Sequence, residues 1–225
     1  MTTRRFLSKR SLYERHVAQQ VKIVLVCEGK RTEPSYFSAY ISARFRDVRK
    51  IQIVSNTSCN TGIEQLYEVA CQKQQEFPNA VVFIVFDDDG KLCNATERRQ
   101  LNNVLSKCAF GNAVSKAKIN CIFSNPQFEL WAILHFEYTT AVLTKQEIEA
   151  RTKLYFPKYD PKCDKEIDYQ IILDKPGSED LAIKNAKRLR KYHEKMGGKC
   201  MLDCPSTNMD VLIEYMNSVC SHRPN

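Results

Sequence analysis

Several features are missing from this sequence, and each absence narrows the possibilities. No segment approaches the roughly 18 consecutive apolar residues of a membrane span, so no membrane partner is expected. Arg4 and Arg5 are followed by no apolar core of a signal peptide, so no export signal is expected. There is no internal repeat and no low-complexity segment, which sets aside solenoids and disordered linkers. The ten cysteines include no CxxC pair. Cys200 and Cys204, with His193 upstream, lack the second pair that a zinc site uses. Cys27, Cys71 and Cys121 lie in apolar segments, where a thiol behaves as a small hydrophobe. This spread points to a reducing, cytoplasmic location and not to a disulfide framework.

What is present is enough for a sizeable core. The chain has 225 residues, 43% of them hydrophobic and 10% aromatic, which suits one large domain or a domain with an extension. The net charge of +8 favours polyanionic partners. Residues 1–20 form a basic arm carrying Arg4, Arg5, Lys9, Arg10 and Arg15, either a flexible tail or a segment that touches phosphate.

The stretch 21–34 organises the rest. Its β-branched apolar run fits a strand packed on both faces and stops on Glu28 and Gly29. Gly29 permits a sharp turn without a Cβ clash. An acid at the carboxyl end of a parallel strand sits where ligands of open α/β sheets collect; there it binds a cation or caps the next helix. The apolar run 81–86 ends likewise, on Asp87, Asp88, Asp89 and Gly90. If strand geometry persists, Asp87 and Asp89 point the same way, and neighbouring carboxylates resist joint ionisation unless a cation lies between them. Glu28, Asp87 and Asp89 then read as one Mg²⁺ or Mn²⁺ site. A solvated turn and N-cap is the alternative for the three aspartates.

Around these runs the pattern is β-α-β-α-β-α-β, with further strands at 51–54 and 119–123 and helices between. Asn125 and Pro126 look like the N-cap and first residue of a helix whose N-terminus offers N–H groups to an anion. Glu129 lies one turn on, and His135 is roughly 120° around the helix and deeper. Beyond about residue 138 strands fade. A helix over 144–156 begins with a capping box of Thr144 and Glu147. A basic helix over 179–196 places Lys184, Lys187, Lys191 and Lys195 near one face, with Arg188 and Arg190 beside them, either a solvated surface or a nucleic-acid-binding one. A last helix starts at Ser206 or Thr207. The expected organisation is thus an arm (1–20), an α/β domain (21–138) and a helical C-terminal extension packed on it (139–225).

Three stretches together resemble the RloB-like family: Glu28-Gly29-x-x-Thr32-Glu33-Pro34-x-Tyr36-Phe37, then Phe86-Asp87-x-Asp89, then Asn125-Pro126-x-Phe128-Glu129-Leu130-Trp131 with His135-Phe136. The resemblance implies a TOPRIM-like parallel sheet with flanking helices and a mainly helical C-terminal part. TOPRIM proteins place a glutamate after the first strand and Asp-x-Asp after a later one, the slots of Glu28, Asp87 and Asp89. It also implies a phage-defence or abortive-infection setting beside an AAA or ABC-type ATPase, and, by analogy, metal-dependent cleavage of RNA, including tRNA, or of DNA. In that scheme Glu28, Asp87 and Asp89 hold Mg²⁺ or Mn²⁺, and Lys30 or Arg31 neutralises developing charge. Glu33, Asn125 and Glu129 order the site or add a second metal, with Gly29 at the turn beside them, and His135 shuttles a proton. A homo-oligomer is a further expectation. The alternative is a module of the same shape that binds nucleic acid or regulates without turnover.

Overall fold

The computed structural model describes residues 20–55, 62–116, 119–163, 165–198 and 203–223. The basic arm 1–19 and most of the loop after the second strand lie outside them. The chain runs β1 (Ile23–Cys27), α1 (Thr32–Arg44), a 3-10 turn (Val48–Lys50), β2 (Ile51–Ser55), α2 (Ile63–Glu76), β3 (Val81–Asp87), α3 (Ala95–Lys107) and β4 (Asn120–Asn125). It continues with α4 (Glu129–Leu134), α5 (Lys145–Tyr155), α6 (Tyr169–Leu173), α7 (Ser178–Lys195), β5 (Ser206–Thr207) and α8 (Met209–Val219). The sheet order is β2-β1-β3-β4-β5, parallel throughout except for β5, which is antiparallel to β4. This is the α/β class with a parallel sheet that the apolar runs and intervening helices predict, and it is consistent with the TOPRIM-like sheet that the resemblance implies.

Alternation along the strands builds two cores. Ile23, Leu25 and Cys27 of β1, with Phe83, Val85 and Ile122, pack under the aromatic face of α1 and the C-terminal helices. Val24 and Val26, with Val82, Ile84, Phe86 and Phe123, pack against Ile63, Leu66 and Ala70 of α2 and Leu101 and Val104 of α3. Every residue of β1 is buried, so both cores depend on it. The first core is continuous through Trp131 of α4, Ile148 of α5, Leu189 of α7 and Leu212 of α8. The capping box of Thr144 and Glu147 starts α5 as its sequence predicts.

Two expectations are corrected. Asn125 is not a helix cap: it is the last residue of β4, opposite Ser206, and α4 starts four residues later at Glu129. The physical reason is strand pairing: Asn125 is held in the ladder opposite Ser206, which carries the chain straight past Pro126 before a helix starts. With only six residues, α4 provides no anion-binding N-terminus. Likewise Ser206 and Thr207 do not open the last helix; they form β5. Polar side chains hold this short strand in place. Ser124 Oγ and Thr207 Oγ1 are 3.1 Å apart, and Asn208 accepts from the Phe123 N–H at 2.8 Å and donates to the Cys121 carbonyl at 3.0 Å. Arg190 of α7 then pins the strand, donating to the Thr207 carbonyl at 2.6 Å and to both oxygens of Asp210 at 2.6 and 2.7 Å.

Candidate acidic centre at the carboxyl rim of the sheet

β1 lies between β2 and β3: the chain steps outward from β1 to β2 and then back across β1 to β3, so the crevice at the carboxyl ends of β1 and β3 is the topological switch point. Glu28 follows the last residue of β1, and Asp87 ends β3. A cavity of about 570 Å³ opens there, and Glu28, Glu33, Asp87, Asp89 and Glu129 all line it. Lys30, Arg31 and Lys165 are the basic residues of its wall, with Gln127, Phe128, Pro161 and Cys163 among the others.

Each acid is held differently. Glu28 Oε2 accepts from the Asp87 N–H at 3.0 Å, and its Oε1 lies 3.0 Å from Lys91 Nζ. Glu33, in the first turn of α1, is 4% exposed and accepts from the Gly29 N–H at 3.2 Å. A Cβ on Gly29 would overlap the Glu33 carboxylate, so this glycine serves close approach as well as the turn. Asp88 is structural: its carboxylate accepts from the Leu92 N–H at 3.0 Å and the Gly90 N–H at 3.2 Å, tying off the turn after β3. Asp89 has φ 44°, a left-handed conformation that aspartate tolerates. Strand alternation therefore does not align it with Asp87; the turn brings it to the cavity. Its carboxylate lies 3.2 Å from Lys145 at the start of α5. Glu129 is buried, hydrogen-bonded by Tyr159 Oη at 2.5 Å, with Lys165 Nζ 3.9 Å away.

The electrostatics show a shortage of positive charge at the bottom of the cavity. Burial raises the Glu33 carboxyl from 4.5 to about 7, helped by the charges of Glu129 and Glu28. Burial raises Asp87 well above the usual carboxylate range, with Glu33, Glu129, Glu28 and Asp89 adding repulsion. Neither side chain has a salt-bridge partner among the described residues. Hard oxygen donors under mutual repulsion are the chemistry a divalent cation relieves, so the donor set fits Mg²⁺ or Mn²⁺. The carboxylates are not yet gathered as ligands, however: among the described residues no group of three or more His, Cys, Asp or Glu side chains is arranged to hold a metal ion.

His135 is elsewhere. It is fully buried beside Trp131 and Tyr36, its Nδ1 2.9 Å from the Trp131 carbonyl, and burial lowers its pKa to about 4. A neutral ring outside the cavity wall does not serve as the proton shuttle expected from the sequence. Asn125 is buried in β4 and does not line the cavity. Lys30 and Arg31 are exposed at the mouth, where Arg31 donates to the Cys163 carbonyl at 3.0 Å.

Sequence reasoning missed Lys91, Tyr159 and Lys165. Lys91 stands two residues after Asp89, so a cation beside an acidic run was a usable signal. Tyr159 and Lys165 reach the site from beyond α5, a tertiary contact that no local pattern announces. On the basic helix, Lys184, Lys187, Arg188, Lys191 and Lys195 are all exposed. The first four line a groove of about 540 Å³ together with Asp180, Ile183 and Glu214. Lys187 pairs with Glu214 at 2.5 Å, and the Arg188 guanidinium lies 3.8 Å from the Tyr138 ring centre. Arg190 instead turns inward to Asp210.

No helix of the described residues is long and apolar enough to cross a membrane. A family model described as RloB-like protein matches residues 23–216. No curated protein and no solved structure matches the chain.

Proposed function

We propose that this chain, which belongs to the RloB-like family, is a metal-dependent nuclease of TOPRIM type that cleaves phosphodiester bonds of RNA, tRNA included, or of DNA. The observation that carries the proposal is the gathering of Glu28, Asp87, Asp89, Glu33 and Glu129 in one cavity at the switch point of a parallel sheet. Glu28, Asp87 and Asp89 are the residues that would hold Mg²⁺ or Mn²⁺. The bound ion would supply Lewis acidity toward a phosphate oxygen and a water of lowered pKa.

The chain's own groups do the rest. Lys30, Arg31 and Lys165 offer positive charge at the cavity wall, where a phosphate enters and negative charge develops. Tyr159 fixes the Glu129 carboxylate, and the Gly29 N–H fixes that of Glu33. Lys184, Lys187, Arg188, Lys191 and Lys195 give the nucleic acid a second, sequence-independent contact on α7. An unregulated nuclease harms its host, so the proposal includes control by a partner ATPase of AAA or ABC type within an antiphage, abortive-infection system in the cytoplasm. Self-association into a homo-oligomer belongs to the same proposal.

The test is cleavage of labelled RNA and DNA with Mg²⁺ or Mn²⁺, with and without the ATPase. Glu28→Gln is expected to abolish metal-stimulated cleavage while leaving the circular dichroism spectrum unchanged. Full cleavage by this variant rejects the reading. A second reading, a regulatory module without turnover, is favoured by the contact of Lys91 with Glu28. Calorimetry separates the two: failure of Mn²⁺ to bind with oligonucleotide present supports the regulatory module.

A further inference from the structure

The proposed chemistry asks Glu28 to share its oxygens with a cation, yet both are already engaged. Lys91 Nζ lies 3.0 Å from Oε1 and 3.2 Å from Oε2 of Glu28, and it donates to the Asp87 carbonyl at 2.5 Å. These three acceptors match the three donors of an ammonium. The contact is sheltered: the Lys91 side chain is 12% exposed and that of Glu28 21%. It is also built in. The Lys91 N–H donates to the Asp88 carbonyl at 2.7 Å, and Asp88 braces the same turn through Gly90 and Leu92. The turn that closes β3 therefore delivers a positive charge onto the glutamate that ends β1.

We infer that Lys91 is the resident counter-ion of the acidic centre, competing with a divalent cation for Glu28, and that loading requires its ammonium to leave the Glu28 carboxylate. The inference rests on the metal-dependent reading above. It also accounts for the present arrangement, in which Glu28 turns toward Lys91 and the Asp87 N–H while the carboxylates of Asp87 and Glu33 make no salt bridge among the described residues. One ammonium and one divalent ion cannot both take the same two oxygens, so the affinity measured for the metal contains the work of displacing the lysine.

The experiment is calorimetric titration of the full chain with Mn²⁺, comparing the unsubstituted protein with Lys91→Met and Lys91→Arg at one ionic strength. Lys91→Met is expected to bind Mn²⁺ about tenfold more tightly, equivalent to ~1.4 kcal/mol, while Lys91→Arg, which retains the charge, stays within about twofold of the unsubstituted protein. Should Lys91→Met fail to fold, Lys91→Gln carries the same expectation, and failure of both overturns the inference by making Lys91 a structural strut. If the unsubstituted protein binds Mn²⁺ and the uncharged variant binds it equally or more weakly, the counter-ion inference falls while the metal reading stands. If neither binds Mn²⁺, both fall.

Discussion

Two groups of acids in this molecule are treated in opposite ways. Asp210 at the start of α8 is fully buried and meets Arg190 through two parallel hydrogen bonds, with the Thr207 carbonyl taking another donor. There charge is matched by charge, and the result is a strut between α7, β5 and α8. Glu33 is buried and Asp87 half-buried, but neither side chain has a salt-bridge partner among the described residues; burial and the charges of the surrounding acids make both hold protons more tightly than an ordinary carboxyl. The difference separates acids matched by a cation from acids that are not. A fold that can place an arginine on Asp210 leaves Asp87 and Glu33 without one, and the uncompensated charge faces an open cavity at the carboxyl rim.

The contrast can be broken at either end. The largest effect expected is from Arg190→Met, which strands Asp210 without its partner and should cost about 3–5 kcal/mol in urea unfolding, with Mn²⁺ affinity unchanged. A small loss there would mean that the pair is not a strut. Next, Asp87→Asn should lower metal-stimulated cleavage by at least about 100-fold, the scale on which one preorganised electrostatic group is felt. Its stability at pH 8 should be equal to or above that of the unsubstituted protein, because a repelled carboxylate has been removed.

A smaller effect belongs to Glu33. Its folded-state pKa, about 7, lies above the ordinary 4.5. The folded protein therefore holds a proton there that the unfolded chain releases, and its stabilisation is present below about pH 4.5 and lost as pH rises toward 7. Glu33→Gln should remove that part of the pH dependence, on the order of 3 kcal/mol between pH 4.5 and pH 8. Parallel melting profiles for the two proteins would refute the assignment. The smallest effect is on the exposed helix. Lys184→Ala and Lys191→Ala should leave stability within about 0.5 kcal/mol, each lowering the salt slope of oligonucleotide binding by about 1 irrespective of sequence. An unchanged slope would confine α7 to a solvated surface.

Much of the scaffold was legible because β1 and β3 are covered on both faces, and such strands must be written as apolar runs. The acids that stop those runs, Glu28 and Asp87, were legible for the same reason. Asp89 was found by an argument that does not apply, since β3 ends at Asp87 and a left-handed turn places the later aspartate. Asn125-Pro126 gave the right rim and the wrong element, because the pair suits both a helix entry and a strand exit. β5 left no apolar signature in two residues held by hydroxyl and amide side chains. His135 was placed on the same short helix as Glu129, but it lies roughly 120° around it, and the burial that keeps its ring neutral comes partly from a distant segment through Tyr36. Tyr159 and Lys165 come from the chain's second half, later in the sequence than the strand ends and Glu129 that they meet.

That late arrival affects how the protein is made. While a nascent chain emerges from the ribosome, β1 to β4 can assemble before Ser206 and Thr207 exist to cover the open edge of β4. Pro161, Cys163 and Lys165, which wall the acidic cavity, also follow β4 in order of synthesis. A product truncated soon after β4 thus carries the acids of both strand ends with an uncovered sheet edge and an unwalled cleft. The polypeptide walls its acidic pocket and covers the open edge of β4 late in translation.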